Sequence, residues 1–254
     1  MRKPPYSAVI VDLDRTLLRT DKSVSAYTLE VLEKWKKAGA LLFAATARPE
    51  RAITEYRTLI GFNSVTTLNG ARTIMPASVA ENAISPDEAV SILRQLKRIE
   101  GAVISVEAEN GIYANTEIPL WQPEVTDDLC GLPRRERIYK ILASHPDIAP
   151  EEILIDLPDG VYSTVADKKL RQYMSGSATK WEGVRQMLKS FGIEADRAVF
   201  FGDDNDDIEP IRECGCGVAV GNALDCVKEN ADYITLSNDE DGVAVFLDRL
   251  LDSP

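Results

Sequence analysis

The chain has 254 residues, with 29 Lys or Arg against 41 Asp or Glu, so its formal net charge at pH 7 is −12. This length allows one large domain or two modest ones with a sizeable core. The acidic balance argues against a general binder of nucleic acids, because phosphate backbones are held mainly by cationic side chains, but it leaves room for an anionic small molecule at a metal-containing or locally basic site.

The first third of the chain alternates apolar runs with segments of helical spacing. The runs Ala8 to Val11 and Leu41 to Ala45 predict two buried strands. Ser25 predicts the N-cap of a helix between them that ends at Gly39, and a second helix is predicted from the TARPE stretch to Gly61. This β-α-β-α order is typical of a parallel sheet covered by helices.

The middle of the chain has antiparallel character. A capping box at Ser85 to Glu88 predicts the start of a helix, and an Asn110-Gly111 pair between two short apolar runs predicts a hairpin. A strand at Ile138 to Leu142, a helix over PEEILIDL and a strand at Val161 to Ala166 complete a mixed α+β set. The pattern predicts a module inserted into the parallel sheet.

The last third returns to the first pattern. We expect a helix over TKWEGVRQMLKSFG, a strand at Ala198 to Phe201, a short helix ending at Gly215, a strand GVAVG, a helix from Ala223, a strand ADYITL and a final helix. The prediction is therefore a doubly wound, mainly parallel α/β core formed by residues 1–76 and 177–254, with an α+β domain over residues 77–176.

The cysteines and the lengths of the apolar stretches indicate the cellular compartment in which the protein is expected. The four cysteines form no CxxC pair and show no disulfide-framework spacing. No apolar stretch approaches the ~18 residues of a membrane span, and the N-terminal apolar run is too short for a signal peptide. These features predict a reduced, soluble, cytoplasmic protein.

Four stretches hold the unusual polar residues. They are DLDRT at Asp12 to Thr16, TAR at Thr46 to Arg48, Lys180 in SATKWEG, and GDDNDD at Gly202 to Asp207. Three of them follow a predicted strand, and Lys180 opens a predicted helix. Because ligands of open α/β sheets bind beyond the carboxyl ends of the strands, we expect these groups to converge.

The chemistry of such a cluster follows from its charges. Asp12, Asp14 and Asp203 would repel one another unless a cation lay among them, and hard oxygen ligands suit Mg²⁺. A carboxylate beside Mg²⁺ can attack phosphorus as a nucleophile, and a neighbour two residues on can act as general acid and then activate water. Thr46 offers an anion-binding turn, and Lys180 adds positive charge against the transferring group.

The motifs DLDRTLL, ATAR, Lys180 and FGDDNDD, in that order, resemble the four motifs of the haloacid dehalogenase (HAD) superfamily. The long insertion between the second and third motifs resembles a C2-type cap, and GVAVGNALDCVKENADYITLSNDEDGVA resembles the C-terminal signature of Cof-type phosphatases. The resemblance implies a Rossmann-like core and a hydrolase.

The resemblance also implies a role for each matched residue. Asp12 becomes the phosphoryl-accepting nucleophile and Asp14 the general acid/base. Mg²⁺ would be held by Asp12, the backbone carbonyl of Asp14 and Asp203, with Asp207 supporting the water shell of the metal.

On the substrate side, the resemblance implies that Thr46 and Lys180 orient and neutralise the phosphoryl group. Ala47, Arg48 and Asn69 match positions that line the substrate or face the cap.

Three positions depart from the usual motifs of the family. Arg15 stands where glycine is most common, Ala47 replaces the glycine of TGR, and Asp206 stands where asparagine is usual. None of these changes removes a residue that the mechanism needs. Each one bears on rate or on substrate preference.

The resulting hypothesis is a Mg²⁺-dependent phosphatase of a small phosphorylated metabolite, such as a sugar phosphate, that works through an aspartyl-phosphate. A phosphotransferase or phosphomutase of the same superfamily and a non-catalytic phospho-accepting or metal-binding module are the alternatives. The sequence leaves the particular ester and the oligomeric state open.

Overall fold

The structure is a computed structural model that describes residues 4–166 and 168–252. The strands are β1 (Ala8–Val11), β2 (Leu41–Ala45), β3 (Ser64–Thr67), β4 (Arg72–Met75), β5 (Ser78–Glu81), β6 (Val103–Ala108), β7 (Ile112–Ala114), β8 (Glu124–Val125), β9 (Ile138–Ser144), β10 (Val161–Ala166), β11 (Leu170–Ser175), β12 (Ala198–Gly202), β13 (Cys216–Ala219) and β14 (Tyr233–Ile234). The α-helices are α1 (Ala26–Lys37), α2 (Thr54–Tyr56), α3 (Pro86–Leu96), α4 (Lys180–Ser190), α5 (Ile208–Glu213), α6 (Asp225–Lys228) and α7 (Gly242–Asp252).

The chain divides into two compact units. The first contains the described residues up to Ala80 and from Thr179 onward, and the second is Glu81–Ala178. Within the described residues, no helix is both long enough and apolar enough to cross a bilayer.

The first unit contains an eight-stranded sheet in the order β14-β13-β12-β1-β2-β3-β4-β5. The strands from β14 to β3 run parallel, and β4 pairs antiparallel with β3. This confirms the predicted doubly wound, mainly parallel α/β core. The first strand of the chain, β1, lies at the centre of the sheet, with Ala8 in register with Leu41 on one side and Ala198 on the other.

The core of this unit explains why its elements form. All four residues of β1 are buried, as expected for a strand covered on both faces. The Ser25 side chain caps α1 by accepting a hydrogen bond from the Thr28 N–H (2.9 Å). On α1, the buried Trp35 ring donates its Nε1–H to the Leu247 carbonyl of α7 (3.1 Å). Apolar burial of this kind stabilises by about 1.5–3 kcal/mol per large side chain.

The second unit is built on a six-stranded sheet in the order β10-β11-β9-β6-β7-β8. Its pairs are antiparallel except for β7 with β8, and the predicted β6–β7 hairpin is present. The predicted capping box is also present, since Ser85 Oγ accepts from the Glu88 N–H and Glu88 accepts from the Ser85 N–H. Helix α3 buries Ile92, Leu93 and Leu96 in the core of this unit.

Two predicted helices differ in the structure. The segment before Gly61 is broken into a 3₁₀ turn (Glu50–Ala52), α2 and a π turn (Arg57–Gly61). The PEEILIDL stretch forms only a 3₁₀ turn at its start, because Gln95 bonds both backbone groups of Asp156 (2.8 and 2.9 Å), which a helix would otherwise pair internally.

Candidate active site

Three neighbouring strands end at the same edge of the first unit's sheet. Asp12 follows β1 and donates its backbone N–H to the Phe201 carbonyl of β12 (3.0 Å). Thr46 follows β2 and donates its backbone N–H to the Thr66 carbonyl (3.0 Å), and Asp203 follows β12. Since β2 and β12 both flank β1, the parallel order brings these polar residues to one crevice.

A cluster of three buried carboxylates occupies this edge. Asp12, Asp203 and Asp207 each have a carboxylate oxygen within 4.8 Å of those of the other two. The Nζ of Lys180, at the start of α4, lies 2.9 Å from Asp12 Oδ1 and 2.6 Å from Asp207 Oδ1. The Lys180 side chain is itself only 4% exposed, so Asp12 and Asp207 share one ammonium in a dry environment.

The pKa values of the clustered side chains are shifted by their burial and by the charges of their neighbours. Burial and then the charge of Asp207 raise the pKa of Asp203 to about 6. Burial also raises the pKa of Asp12, and the ammonium of Lys180 offsets this only in part. Burial alone would lower the pKa of Lys180, but the Asp12 and Asp207 carboxylates raise it well above its ordinary value.

The donor set fits a divalent cation. When ionised, the three carboxylates and the buried ammonium leave an excess of two negative charges. The exposed guanidinium of Arg15, 3.8 Å from Asp203 Oδ2, offsets this only in part, so a divalent cation would neutralise the buried charge. Carboxylate oxygens are hard ligands of the kind that Mg²⁺ prefers, and the cluster contains no sulfur or imidazole donor.

The loop after β12 is held by its own side chains. Asp207 Oδ2 accepts hydrogen bonds from the backbone N–H groups of Asp203 (2.9 Å) and Asp204 (3.1 Å). Thr16 donates its Oγ1–H to Asp203 Oδ1 (2.9 Å) and so links this loop to the loop after β1. These bonds fix the orientation of Asp203 before any ligand arrives.

The side chain of Asp14 has different partners from those of Asp12. Its carboxylate accepts from Arg48 Nε (2.5 Å), Arg48 Nη2 (2.7 Å) and Lys22 Nζ (2.6 Å). Burial opposes the shift, but these hydrogen bonds lower the pKa of Asp14 to about 2. Asp14 is therefore ionised at neutral pH in this arrangement.

A turn with three successive positive φ angles closes the site beside Thr46. Leu68, Asn69 and Gly70 have φ of 50°, 55° and 92°. The turn is held because the Asn69 N–H donates to the Thr46 carbonyl (3.1 Å) and the Leu68 N–H to the Arg48 carbonyl (3.0 Å). The Asn69 side-chain amide donates to the Asp206 carboxylate. Such strain persists only where surrounding contacts over-determine it, and it concentrates at functional sites.

The structure thus brings most of the predicted residues to one edge of the first unit's sheet. Its carboxylate cluster contains Asp12, Asp203 and Asp207, and the side chain of Asp14 lies with Arg48 instead.

Sequence reasoning assigned no role to Thr16 or Lys22, which contact Asp203 and Asp14. The Thr16 hydroxyl stands inside the DLDRT motif and offered a signal. Lys22 had none, because its contact depends on the path of the loop.

Gly70 provides a test of how this turn supports Lys180. A Cβ at Gly70 would lie 1.9 Å from the Thr179 carbonyl oxygen, and Thr179 is the N-cap residue of α4. We expect Gly70→Ala to push the start of α4 and so displace the Lys180 ammonium. A misplacement of about 1 Å costs on the order of 10²-fold in rate, so kcat/KM should fall by about that factor.

Gly39→Ala is the matched control for this experiment. Gly39 has a similar left-handed φ of 96°, but nothing lies within 4 Å of its added Cβ. It should lose about 1 kcal/mol of stability from the backbone conformation alone and keep wild-type kinetics. Equal kinetic losses in the two variants would contradict the role of the Gly70 contact.

Comparisons with known proteins find relatives along nearly the whole chain. A family model described as haloacid dehalogenase-like hydrolase matches residues 9–247. A 5-amino-6-(5-phospho-D-ribitylamino)uracil phosphatase of Bacillus subtilis is 27% identical, covering 97% of this chain and 98% of its own length. A phosphoglycolate phosphatase of Methanopyrus kandleri is 27% identical, covering 97% of both chains.

Solved structures share the fold. A haloacid dehalogenase-like hydrolase from Bacteroides thetaiotaomicron superposes with a TM-score of 0.84 at 24% identity, covering 96% of this chain and 99% of its own. The HAD subclass IIB sugar phosphatase BT4131 superposes with a TM-score of 0.82 at 23% identity, covering 96% of this chain and 98% of its own.

Proposed function

Because the chain belongs to the haloacid dehalogenase-like hydrolases, we propose that it is a Mg²⁺-dependent phosphatase that hydrolyses a small phosphorylated metabolite through an aspartyl-phosphate intermediate. The family is one of hydrolases, and the two relatives are named phosphatases of small phosphorylated compounds, which supports phosphomonoesterase activity. The metal, the intermediate and the residue roles are the further content of the proposal.

One observation carries the assignment of roles. Three buried carboxylates lie at the carboxyl edge of the sheet with a single buried ammonium, which contacts Asp12 and Asp207, and a buried charge excess of this kind favours a bound cation. Asp12, Asp203 and the backbone carbonyl of Asp14 would hold Mg²⁺, and Asp207 would support its water shell. When bound, the metal neutralises the charges of the phosphoryl oxygens and of the nucleophile.

In the first step, an Asp12 carboxylate oxygen attacks phosphorus, and the bond from phosphorus to the ester oxygen breaks. The electron pair of that bond goes to the departing oxygen, which takes a proton from Asp14. Asp14 is ionised in this structure, so the step requires it to gain a proton from solvent when the substrate binds. Lys180 contacts Asp12 Oδ1 at 2.9 Å and so holds the nucleophile in one orientation while it balances negative charge.

In the second step, water attacks the phosphorus of the aspartyl-phosphate. Asp14 takes the proton from this water, and the bond from phosphorus to Asp12 breaks to release inorganic phosphate. The low pKa of Asp14 in this structure means that its carboxylate is ionised as this proton acceptor requires.

We assign the substrate side of the site to the turn after β2 and its neighbours. Thr46 presents a hydroxyl that accepts the Arg48 N–H (3.2 Å), which fixes it beside Asp12's strand end. Thr46, Ala47, Arg48, Asn69 and Lys180 form the set of residues proposed to contact the phosphorylated substrate.

The remaining features of the proposal concern the second unit and the compartment. We assign Glu81–Ala178 as the C2-type cap of the family, in place of the sequence-based boundaries at 77 and 176. We also propose that the protein acts in the cytoplasm, where its four free cysteines stay reduced.

A phosphate-release panel tests the function. The panel contains sugar phosphates, phosphoglycolate, nucleotides and pyridoxal phosphate, with para-nitrophenyl phosphate as a generic ester. We expect turnover of at least one metabolite with Mg²⁺ and a loss of about 10²-fold or more with a chelator, because the metal neutralises charge in the transition state. Activity that is equal with and without chelator would contradict the metal requirement.

A second readout separates hydrolysis from phosphoryl transfer. For each active substrate, inorganic phosphate should equal the alcohol that is released, and added sugar acceptors should leave this ratio unchanged. Phosphate recovered on an acceptor sugar would favour the phosphotransferase alternative.

A further inference from the structure

One exposed face of the second unit carries charges of both signs without partners. A trough of about 760 Å³, which we call the α3 trough, runs along helix α3. Its lining includes the exposed residues Arg94, Arg98, Arg134, Asp87 and Asp156. Among the described residues, none of these five charged groups has a hydrogen bond or an ion pair. The charges of this face are therefore available to a partner molecule.

The charges along α3 are separated by sign. Asp87, Ser91 and Arg94 follow the i, i+4, i+7 spacing that places residues on one face of a helix, and Arg98 continues this spacing in the turn after α3. At a rise of about 1.5 Å per residue, Asp87 and Arg94 lie roughly 10 Å apart along the axis. The exposed stripe thus has an acidic end and a basic end, with the small side chain of Ser91 between them.

The helix dipole explains only part of this arrangement. Asp87 lies in the first turn of α3 and Arg94 in its last turn, where each charge is favourable. The dipole does not explain why Arg134 and Asp156, from two other segments of the chain, line the same trough. A partner that supplies the opposite charges would explain both observations.

One wall of the trough is fixed before any partner arrives. Gln95 of α3 donates to the Asp156 carbonyl (2.9 Å) and accepts from the Asp156 N–H (2.8 Å). Glu88 accepts from the Gly160 N–H (3.2 Å) and holds the other end of the same segment. Between these two anchors, Leu157 lines the trough and remains 40% exposed. The wall therefore offers a partner an apolar contact beside the charged groups, as in the mixed surfaces of protein interfaces.

The stripe on α3 is complementary to itself. When two copies approach with their α3 helices antiparallel, a two-fold axis between positions 90 and 91 brings Asp87 of one copy to Arg94 of the other. The symmetry repeats this contact on the other side of the axis. The Ser91 side chains then meet near the axis, where small residues favour the short end of the usual separation of about 8–10 Å between helices.

The charge of the trough also permits a second copy to bind. Two chains of net charge −12 repel each other at an acidic surface. The α3 trough differs, because three acidic residues and three arginines line it and its formal charge is zero. At physiological salt, charges farther apart than about 8 Å are largely screened. Pairs formed within the trough therefore outweigh the repulsion between distant surfaces.

We propose that the α3 trough is the interface of a weak homodimer in which two α3 helices pack antiparallel and Asp87 of each copy pairs with Arg94 of the other. The inference is independent of the proposed function, since no residue of the candidate active site takes part. The trough is lined by 11 residues, roughly half of the 20–30 on each side of a standard interface. We therefore expect a dissociation constant on the order of 10 μM.

Sedimentation equilibrium of the full chain, from about 1 to 200 μM, tests the dimer. The average mass should rise across this range from that of one chain towards that of two. Arg94→Glu places a carboxylate against Asp87 of the other copy, and Asp87→Arg places two arginines together. Because like charges then meet on both sides of the axis, each variant alone should raise the dissociation constant by about tenfold or more.

An equimolar mixture of the two variants is the decisive measurement. The acids of the Arg94→Glu chain then face the arginines of the Asp87→Arg chain in both contacts. A heterodimer should form with a dissociation constant within about threefold of wild type, because the opposite charges are restored. No general loss of folding and no change in net charge alone would produce this recovery.

Arg197→Glu is the matched control for Arg94→Glu. Arg197 is an exposed arginine of the first unit whose side chain has no partner among the described residues. The substitution changes the net charge by the same amount and should leave the dimer unchanged. Melting temperatures check that each variant is folded. If a charge reversal lowers melting, Arg94→Gln and Asp87→Asn remove the pair without repulsion and should weaken the dimer by a smaller factor.

Several results would overturn the inference. A wild-type chain that stays monomeric up to the highest concentration would do so, as would a dimer that both charge reversals leave intact. Two weakened variants that form no heterodimer would exclude the antiparallel pairing. A monomeric wild type that binds a polyglutamate peptide, with binding lost in Arg94→Glu, would assign the arginines to an acidic partner instead. Phosphatase activity enters none of these measurements, so the proposed function stands or fails separately.

Discussion

Asp12→Asn is expected to abolish turnover, with kcat lower by about four orders of magnitude or more, because an amide cannot form the aspartyl-phosphate. Asp12 follows the central strand β1 and is 5% exposed, so the end of this strand sets the position of its carboxylate. Phosphate release from the best substrate of the panel, measured with Mg²⁺, checks the loss.

The same variant should remain folded, and this separates lost chemistry from lost structure. Burial raises the pKa of Asp12, so the ionised carboxylate is unfavourable in the folded metal-free protein above that pKa. Asparagine removes this charge, and Lys180 keeps its 2.6 Å contact with Asp207. The melting temperature without metal should therefore be equal to that of wild type or higher.

Asp196→Asn is the matched control for Asp12→Asn. Asp196 is an exposed carboxylate in the turn before β12, at the opposite end of that strand from the site. Its removal should leave turnover and melting unchanged. Residual activity of Asp12→Asn within tenfold of wild type would contradict covalent catalysis by Asp12.

Lys180→Met is expected to have the largest effect on stability. It leaves Asp12 and Asp207 buried without their ammonium, and breaking a buried ion pair in this way costs about 3–5 kcal/mol. For a chain of this size, the melting temperature should fall on the order of 10 °C. Activity should also fall by about 10²-fold or more, since Asp12, the proposed nucleophile, loses its orienting contact.

The pH dependence of this effect has a definite sign. The pKa of Lys180 is raised well above its ordinary value, so its stabilising contribution is complete at neutral pH. It is lost only as the pH rises through the raised pKa. The difference in unfolding free energy between wild type and Lys180→Met should therefore persist through pH 7 to 9.

Two further variants test the interpretation of Lys180→Met. Lys189→Met removes an exposed lysine from the same helix and should leave melting unchanged. In the double variant Asp12→Asn with Lys180→Met, one unpaired charge is gone, so part of the lost stability should return. A Lys180→Met protein that melts like wild type would show that the ion pair adds nothing.

The sequence predicted the parallel core well because its signal is local. A run such as Ala8 to Val11 is apolar along its whole length, and the chain order of such runs sets the parallel topology. The strand β3 was missed, since its SVTT sequence is polar in type although all four residues are buried. A hydroxyl side chain can be buried when it has a hydrogen-bond partner, as Thr66 and Thr73 have in each other (2.9 Å). The pattern of apolar and polar residues in the sequence does not reveal such partners.

The candidate site was predictable to the extent that strand ends determine it. Asp12, Asp203 and Asp207 follow apolar strands and meet in the structure. The partners of Asp14 were not predictable. Lys22 reaches Asp14 because Lys22 itself has a left-handed backbone conformation, and a lysine gives no sign of this conformation in the sequence, as a glycine or asparagine would. The roles assigned to these residues stay predictions until the variants are measured.

The central place of β1 has a consequence for how the chain is made. This strand is among the first residues to be synthesised, but its neighbour β12 is encoded after the whole second unit. Glu81–Ala178 is contiguous, so all of its own strand partners leave the ribosome earlier than β12 does. The nascent chain therefore carries an apolar strand with one free edge while the inserted unit can already fold, and Asp12 and Asp203 come together only after β12 has been made.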